Sequence, residues 1–199
     1  TVLVLAGVKG ALPELLHHTL LFSSDWDEDF RKVFDGSTPE FPASESIYIS
    51  KTSATDSDAA PEGHENLFIL VPVPADVSIG HGSAYGEESD MVGRIAIAAV
   101  AQIGRWAGID GLESRIVVQR TIGPADFADR YNSWSGGSIG PSHTLAQSAF
   151  FRGSNKSRKV DGLYYAGATT VPGVGVPMCL ISAENVLKRL RGDNSVDRT

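Results

Sequence analysis

Asp161-Gly-Leu-Tyr-Tyr-Ala-Gly-Ala-Thr-Thr-Val-Pro-Gly-Val-Gly-Val-Pro177 is the stretch of this sequence that says most about its fold. Its apolar start, residues 163–166, predicts a short buried strand that ends at Gly167. A loop with two further glycines, Gly173 and Gly175, follows. Residues 176–190 then repeat apolar side chains at helical spacing, with Pro177 in the first turn, which predicts a helix. The stretch therefore predicts a strand, a glycine loop and a helix.

The glycines of this loop bear on its chemistry. Glycine adopts positive φ angles without strain and lets another group approach the backbone closely. The free N–H groups at the start of a helix favour negative charge. A reduced isoalloxazine ring carries such charge, so the arrangement suits a flavin and indicates a redox enzyme. The alternative is that the glycines only form a tight turn, and spacing alone leaves both interpretations open.

The rest of the chain predicts an α+β fold, with a mixed or antiparallel sheet that carries helices on one face. Strands are predicted from apolar runs bounded by turn residues. Their ranges are 2–8, 19–22, 46–50, 67–73, 112–122 and 163–166. Helices are predicted after the N-cap run 23–25 and over residues 87–107, 127–131 and 176–190. Polar or glycine-rich loops are predicted for 36–42, 51–65, 75–86 and 132–142.

Composition narrows the classes of function. The chain has 199 residues and a formal net charge of −7, which argues against a nucleic-acid partner. Its one basic cluster, Lys156, Arg158 and Lys159, is interpreted as a solvated turn. Cys179 is the only cysteine, which fits a reducing compartment, and the histidines lack the spacing of metal ligands. No apolar run reaches the ~20 residues of a membrane span.

Several motifs, in order along the chain, resemble those of phytoene desaturases, the FAD-dependent carotenoid dehydrogenases. Leu15-Leu16-His17-His18 resembles the family's Leu-x-His-His element. The run from Asn66 to Pro74 resembles its Asn-Leu-Phe-x-Leu-x-Pro-Val-Pro segment. The run from Leu145 to Arg152 resembles its Leu-x-Gln-Ser-Ala-aromatic-aromatic-Arg segment. The glycine loop resembles its C-terminal signature, with the Gly-Leu-Tyr of residues 162–164, the Gly-Ala-Thr of 167–169 and the Pro-Gly-x-Gly-x-Pro of 172–177.

The resemblance implies an enzyme that converts saturated bonds of phytoene or a related carotene to conjugated double bonds, with hydride transfer to FAD. Its fold would be that of the flavin amine-oxidase-like group. It implies FAD contacts from the glycine loop, at Gly167, Ala168, Thr169, Pro172, Gly173, Val174, Gly175 and Val176. It implies carotenoid contacts from His143, Gln147 and Phe150, and no catalytic residue is assigned. Residues 1–135 would be part of the substrate domain, 136–192 the return to the FAD domain, and 193–199 a disordered tail.

The sequence departs from this family in one respect. It has no Gly-x-Gly-x-x-Gly motif after a strand, and that motif holds the FAD pyrophosphate. We therefore expect a piece of a longer protein, or a natural half-gene, that needs an N-terminal FAD-binding half and does not hold FAD tightly alone. A cytoplasmic protein peripheral at the membrane is expected, because the substrate dissolves in lipid. Homodimerisation through the apolar face that the other half would cover is a linked expectation.

Two alternatives stay open. In the first alternative, the parent protein is a carotenoid isomerase or oxygenase of the same flavin superfamily. In the second, the chain is a non-catalytic assembly or membrane-docking module, which predicts an exposed apolar patch.

Overall fold

The alternation of buried and accessible side chains in the first strand sets the architecture. In β1 (Val2–Lys9), Val2, Val4, Ala6 and Val8 are buried, and the residues between them stay accessible. This period of two is that of a sheet with one face on the core. A computed structural model describes residues 1–35, 45–141, 144–148 and 151–193. The chain divides into two compact units, Thr1–Ser138 and Ile139–Thr199.

The first unit contains a five-stranded sheet in the order β2-β3-β4-β1-β5. All of its described ladders are antiparallel. The other strands are β2 (His18–Leu21), β3 (Ile47–Ser50), β4 (His64–Val71) and β5 (Ile116–Ile122). The prediction of an α+β fold with a mixed or antiparallel sheet is confirmed, and of these two the sheet is antiparallel.

One long helix covers the buried face of this sheet. It is α2 (Asp90–Ala107), which packs on β1 and β5 through an apolar stripe and ends at Gly108, whose φ of 71° is left-handed. The stripe joins the core formed by the even-numbered residues of β1 and the inward residues of β3 and β4. The shorter helices are α1 (Trp26–Phe30), continued by a π-helical turn at Arg31–Asp35, then α3 (Leu112–Arg115) and α4 (Pro124–Tyr131).

The predicted strand 112–122 is wrong in its first four residues, which form α3. Gly111, at a φ of 62°, turns the chain, and the Ser114 hydroxyl donates to its carbonyl at 2.8 Å. Leu112 is thereby buried beneath α2, and Arg115 donates to the carbonyls of Lys9 and Ala11. These side chain–backbone bonds stabilise a helical turn where propensity favours a strand.

The second unit contains α5 (Val176–Arg191), as predicted, but not the strand predicted for residues 163–166. In that segment only Tyr164 forms a bridge, with Lys156, and Leu163 and Tyr165 are exposed. Within the described part of the chain, no neighbouring strand forms a ladder with this segment. Its backbone is instead hydrogen-bonded to an adjacent loop, where the Tyr165 N–H donates to the Asn155 carbonyl at 2.9 Å. The apolar run therefore precedes the glycine loop without regular secondary structure.

The predicted loops have mixed outcomes. Strand β4 begins at His64, within the predicted loop 51–65, because Lys9 pairs with His64 in the β1–β4 ladder. Lys51, predicted in the same loop, is buried, and its ammonium donates to the Leu12 carbonyl at 2.6 Å. The loop predicted for 36–42 lies wholly in the gap between the described ranges, and the predicted tail lies outside them after residue 193.

Candidate functional site

The glycine loop begins at Gly167 and ends at Gly175, where α5 begins. Gly167, Gly173 and Gly175 have φ angles of 120°, 147° and 110°, a region that side-chain-bearing residues rarely adopt. A Cβ atom added to Gly167 or Gly173 would meet no atom within 4 Å. These glycines are therefore required by the backbone conformation, and the space beside them is open.

The start of α5 is available to an anionic group. Gly175 precedes it and has no side chain with which to cap it, and Pro177 has no N–H to satisfy. The first intrahelical bond is that of Cys179 N–H to the Gly175 carbonyl at 2.9 Å. The N–H groups of Val176 and Met178 thus precede the helical ladder, and Val176 is exposed. This is the arrangement that favours negative charge at a helix start.

A buried amide holds the loop in shape. The side chain of Asn155 is fully buried, and its Nδ2 lies 3.1 Å from the Tyr165 carbonyl, 3.2 Å from the Val171 carbonyl and 2.9 Å from the Ser182 hydroxyl of α5. Ser182 also accepts the N–H of Gly167 at 3.1 Å and bonds the Thr170 hydroxyl at 2.8 Å. These contacts tie the first half of the loop, as far as Val171, to α5.

A buried cation lies against the same loop. The Arg152 guanidinium is 5 % exposed and donates from Nε and Nη2 to the Ala168 carbonyl, at 3.1 and 2.6 Å. Longer bonds of 3.4 Å run to the carbonyls of Ile139, Pro141 and Gln147. Carbonyl groups thus solvate this charge without neutralising it, so a nearby anionic ligand would gain from it.

The open glycines, the uncapped helix start and the buried cation fit an anionic ring edge such as that of a reduced flavin. All eight residues predicted to contact FAD lie on this continuous segment. Thr169 is exposed, whereas its neighbour Thr170 is buried. The sequence did not predict roles for Asn155, Thr170 and Ser182, because a single Asn, Thr or Ser carries no local signal that its side chain is buried.

The residues predicted to bind the carotenoid are described only in part. Gln147 is exposed in a short 3₁₀ turn, Leu145–Gln147. His143 and Phe150 lie outside the described residues.

The first unit offers a different surface, which we call the open face, on the side of the sheet opposite α2. Two rows of side chains cross all five strands in register. The apolar row consists of Leu20, Tyr48, Leu70, Leu3 and Ile122. The mixed row consists of His18, Ser50, Phe68, Leu5 and Arg120. Each row spans about 19 Å at the usual spacing of strands, and its side chains remain accessible.

Polar groups lie at the edges of the open face. His18 Nδ1 lies 2.8 Å from the Tyr48 hydroxyl, and its ring stacks on that of Tyr48 with centroids 6.0 Å apart. The adjacent His17 bonds the Thr55 hydroxyl at 2.6 Å. Among the described residues no group of three or more His, Cys, Asp and Glu side chains has the arrangement of a metal site. None of the helices in the described ranges is long and apolar enough to cross a membrane.

Comparison with known proteins identifies the class to which this chain belongs. No protein-family model matches the chain. It is 41% identical over 191 residues to the carotenoid 3,4-desaturase of Haloarcula japonica, covering 96% of this chain and 36% of that protein. It is 37% identical over 186 residues to the zeta-carotene-forming phytoene desaturase of Myxococcus xanthus, covering 92% of this chain and 34% of that protein.

A third relative is the 4,4'-diapophytoene desaturase of Staphylococcus haemolyticus, 31% identical over 183 residues, which are 92% of this chain and 35% of that protein. The chain therefore belongs to the carotenoid and phytoene desaturase family, as its motifs predict, and corresponds to a C-terminal part of it. It spans about a third of the length of the curated relatives it matches.

Proposed function

We propose that this chain is the C-terminal part of an FAD-dependent desaturase that introduces conjugated double bonds into phytoene or a related carotene. The observation that carries the proposal is similarity to desaturases along at least 92% of the chain, the glycine loop included. We assign the fold to the flavin amine-oxidase-like group, with the sheet unit as substrate domain and the unit of α5 as the return to the FAD domain.

The glycine loop is the proposed contact surface for the flavin ring. When bound, FAD would accept the hydride that leaves one carbon of the new double bond, while the neighbouring carbon loses a proton. The segment Gly167–Val176 would hold the flavin ring, with the open glycines allowing close approach. The first N–H groups of α5 and the Arg152 guanidinium would stabilise the negative charge that arrives with the hydride.

The open face is the proposed contact surface for the polyene. A carotene is a long hydrocarbon, and the apolar row offers it a continuous surface of about 19 Å. His143, Gln147 and Phe150 remain proposed carotenoid contacts. Because a carotene partitions into lipid, the protein would work at the surface of a membrane. The N-terminal half of the protein is the proposed partner that supplies the FAD pyrophosphate site, and homodimerisation stays a proposal that light scattering tests.

Mass spectrometry of the product tests the proposed reaction. The full-length protein, reconstituted with FAD, is incubated with phytoene. A desaturase removes two hydrogens for each double bond formed. The product should lose that mass and absorb at longer wavelength. An isomer of unchanged mass would contradict the proposal and indicate a carotenoid isomerase. A product that has gained oxygen would likewise contradict it and indicate an oxygenase.

A substitution on the apolar row tests the proposed substrate surface. Leu70→Gln places an amide against the polyene, so kcat/KM for the carotene should fall about tenfold. The matched control is Ile97→Gln, because Ile97 is exposed on α2, away from the open face. Equal kcat/KM values for both variants would contradict the proposal that the carotene contacts the open face.

A non-catalytic docking module is the second candidate function, and one observation favours it. Four exposed aromatic rings follow one another from the segment before α1 to its π-helical turn, with neighbouring centroids 5.4 to 6.3 Å apart: Phe22, Trp26, Phe30 and Phe34. An exposed apolar stripe is typical of an interaction site. Absence of turnover together with flotation on liposomes would support this candidate over the enzyme.

A further inference from the structure

Charge is distributed unequally between the two units. Residues 1–138 contain nine Lys and Arg against twenty Asp and Glu, a net charge of −11. Residues 139–199 contain eight Lys and Arg against four Asp and Glu, a net charge of +4. An acidic chain therefore has one basic part, and such asymmetry is typical of a protein that orients itself on a charged surface.

The cations of the second unit come together from two segments distant in sequence. A cleft of about 230 Å³ is lined by Lys156 and Tyr164 on one side and by Lys188, Arg189, Gly192 and Asp193 at the end of α5 on the other. Arg158, Lys159 and Arg191 are exposed within three residues of these lining residues. The acidic side chains in these two segments are Asp161 and Asp193.

The loop of residues 156–163, here called the basic loop, has a defined shape. Ser157 N–H donates to the Leu163 carbonyl at 2.9 Å and closes the loop. The Ser157 hydroxyl accepts the N–H groups of Lys159 and Val160 at 3.1 and 3.0 Å. Val160 and Leu163 are 53 % and 38 % exposed, so the basic loop presents apolar side chains among its cations.

Compensation of a helix dipole explains only part of this surface. Lys188, Arg189 and Arg191 lie in the last turn of α5, where cations stabilise a helix end. The basic loop is a separate segment, so its three cations do not belong to that helix. Cations interleaved with exposed apolar side chains are instead what an interfacial membrane contact requires.

We infer that the basic loop and the carboxyl end of α5 form a docking surface for the anionic phospholipids of a membrane. The lysine and arginine side chains would contact lipid phosphates, and Val160 and Leu163 would insert among the headgroups. This inference rests on the proposed function, because a carotene substrate must be taken from lipid. It adds which surface docks and which lipid charge it selects.

Vesicle partitioning of the full-length protein tests the docking surface. Wild-type protein should bind phosphatidylcholine vesicles that contain phosphatidylglycerol, less so at high salt, and should bind pure phosphatidylcholine vesicles weakly. Each surface cation contributes about fivefold to such binding, so K156Q/R158Q/K159Q should lower the partition coefficient about a hundredfold.

The matched control is K9Q/R94Q/R105Q, which removes the same charge from exposed positions of the first unit and should leave partitioning unchanged. Equal losses in the two triple variants, or equal binding to charged and uncharged vesicles, would overturn the docking surface.

Activity separates this inference from the proposed function. K156Q/R158Q/K159Q should keep wild-type activity on a carotene in detergent micelles and lose it on the same carotene in anionic vesicles. A wild-type protein inactive in both media would contradict the desaturase proposal, while the partitioning comparison would still decide the docking surface.

Discussion

At the scale of the residue, one buried side chain determines the shape of the candidate flavin site. Asn155 is fully buried and reaches carbonyl and hydroxyl groups of the glycine loop and of α5. A buried carbonyl that loses its donor costs about 1 to 3 kcal/mol. The position of the loop therefore depends on a residue that is twelve positions before Gly167 in the sequence.

Asn155→Ala should destabilise the second unit by about 3 kcal/mol, because it leaves the carbonyls of Tyr165 and Val171 unpaired and opens a cavity. Thermal unfolding of the full-length protein, followed together with release of flavin, measures the effect. Asn185→Ala, at a half-buried position of α5, is the control and should change stability by less than about 0.5 kcal/mol. Similar losses for both variants would contradict the role of Asn155.

At the scale of the element, the glycine loop and α5 together form the candidate flavin site. The loop ends in a glycine and delivers the chain into a helix whose first N–H groups remain open. The other end of α5 terminates at Gly192, which has a left-handed φ of 67° and donates its N–H to the carbonyls of Lys188 and Arg189. Glycines thus stand at both ends of the helix: Gly175 leaves its start without a side-chain cap, and Gly192 terminates it.

Gly173→Ala should reduce flavin occupancy of the full-length protein strongly. Its φ of 147° strains an alanine, by about 1 to 3 kcal/mol, and the new methyl group would enter the open space beside the loop. Gly192→Ala is the matched control, since a left-handed cap costs alanine only about 1 kcal/mol and lies far along the helix from the loop. Flavin absorbance per protein after gel filtration measures both, and equal occupancies would argue against cofactor contact at Gly173.

At the scale of the whole molecule, the chain exposes apolar surfaces that a small globular protein would normally bury. The open face, the aromatic stripe of α1 and the start of α5 all expose apolar side chains. The chain also spans about a third of its relatives' length. The exposure is consistent with a protein that buries these surfaces against further parts of itself or against substrate.

The isolated 199-residue chain should not retain FAD through gel filtration. In the proposed site the glycine loop would contact only one edge of a flavin, and the sequence contains no Gly-x-Gly-x-x-Gly motif to hold the pyrophosphate. Co-expression with the N-terminal part of the protein should restore flavin absorbance in the complex. A yellow isolated chain with near-stoichiometric flavin would contradict this prediction.

The sequence by itself determined the family, an α+β fold with a sheet, α2 and α5, and the glycine loop. Each of these depends on local information: period-two or helical patterning, a glycine that the backbone requires, and motifs read in order along the chain. It also placed the predicted cofactor contacts on one continuous segment, because they are adjacent in sequence.

Only the tertiary structure decided which polar residues matter and where the cations meet. Asn155 and Ser182 are ordinary polar residues in sequence, and burial together makes them the support of the loop. Lys156, interpreted from sequence as part of a solvated turn, shares a cleft with Arg189. The segment 163–166 lacks a strand because a ladder needs a neighbour, and no local pattern encodes one. Non-local contacts determine such features, since burial and pairing are properties of residues brought together by the fold.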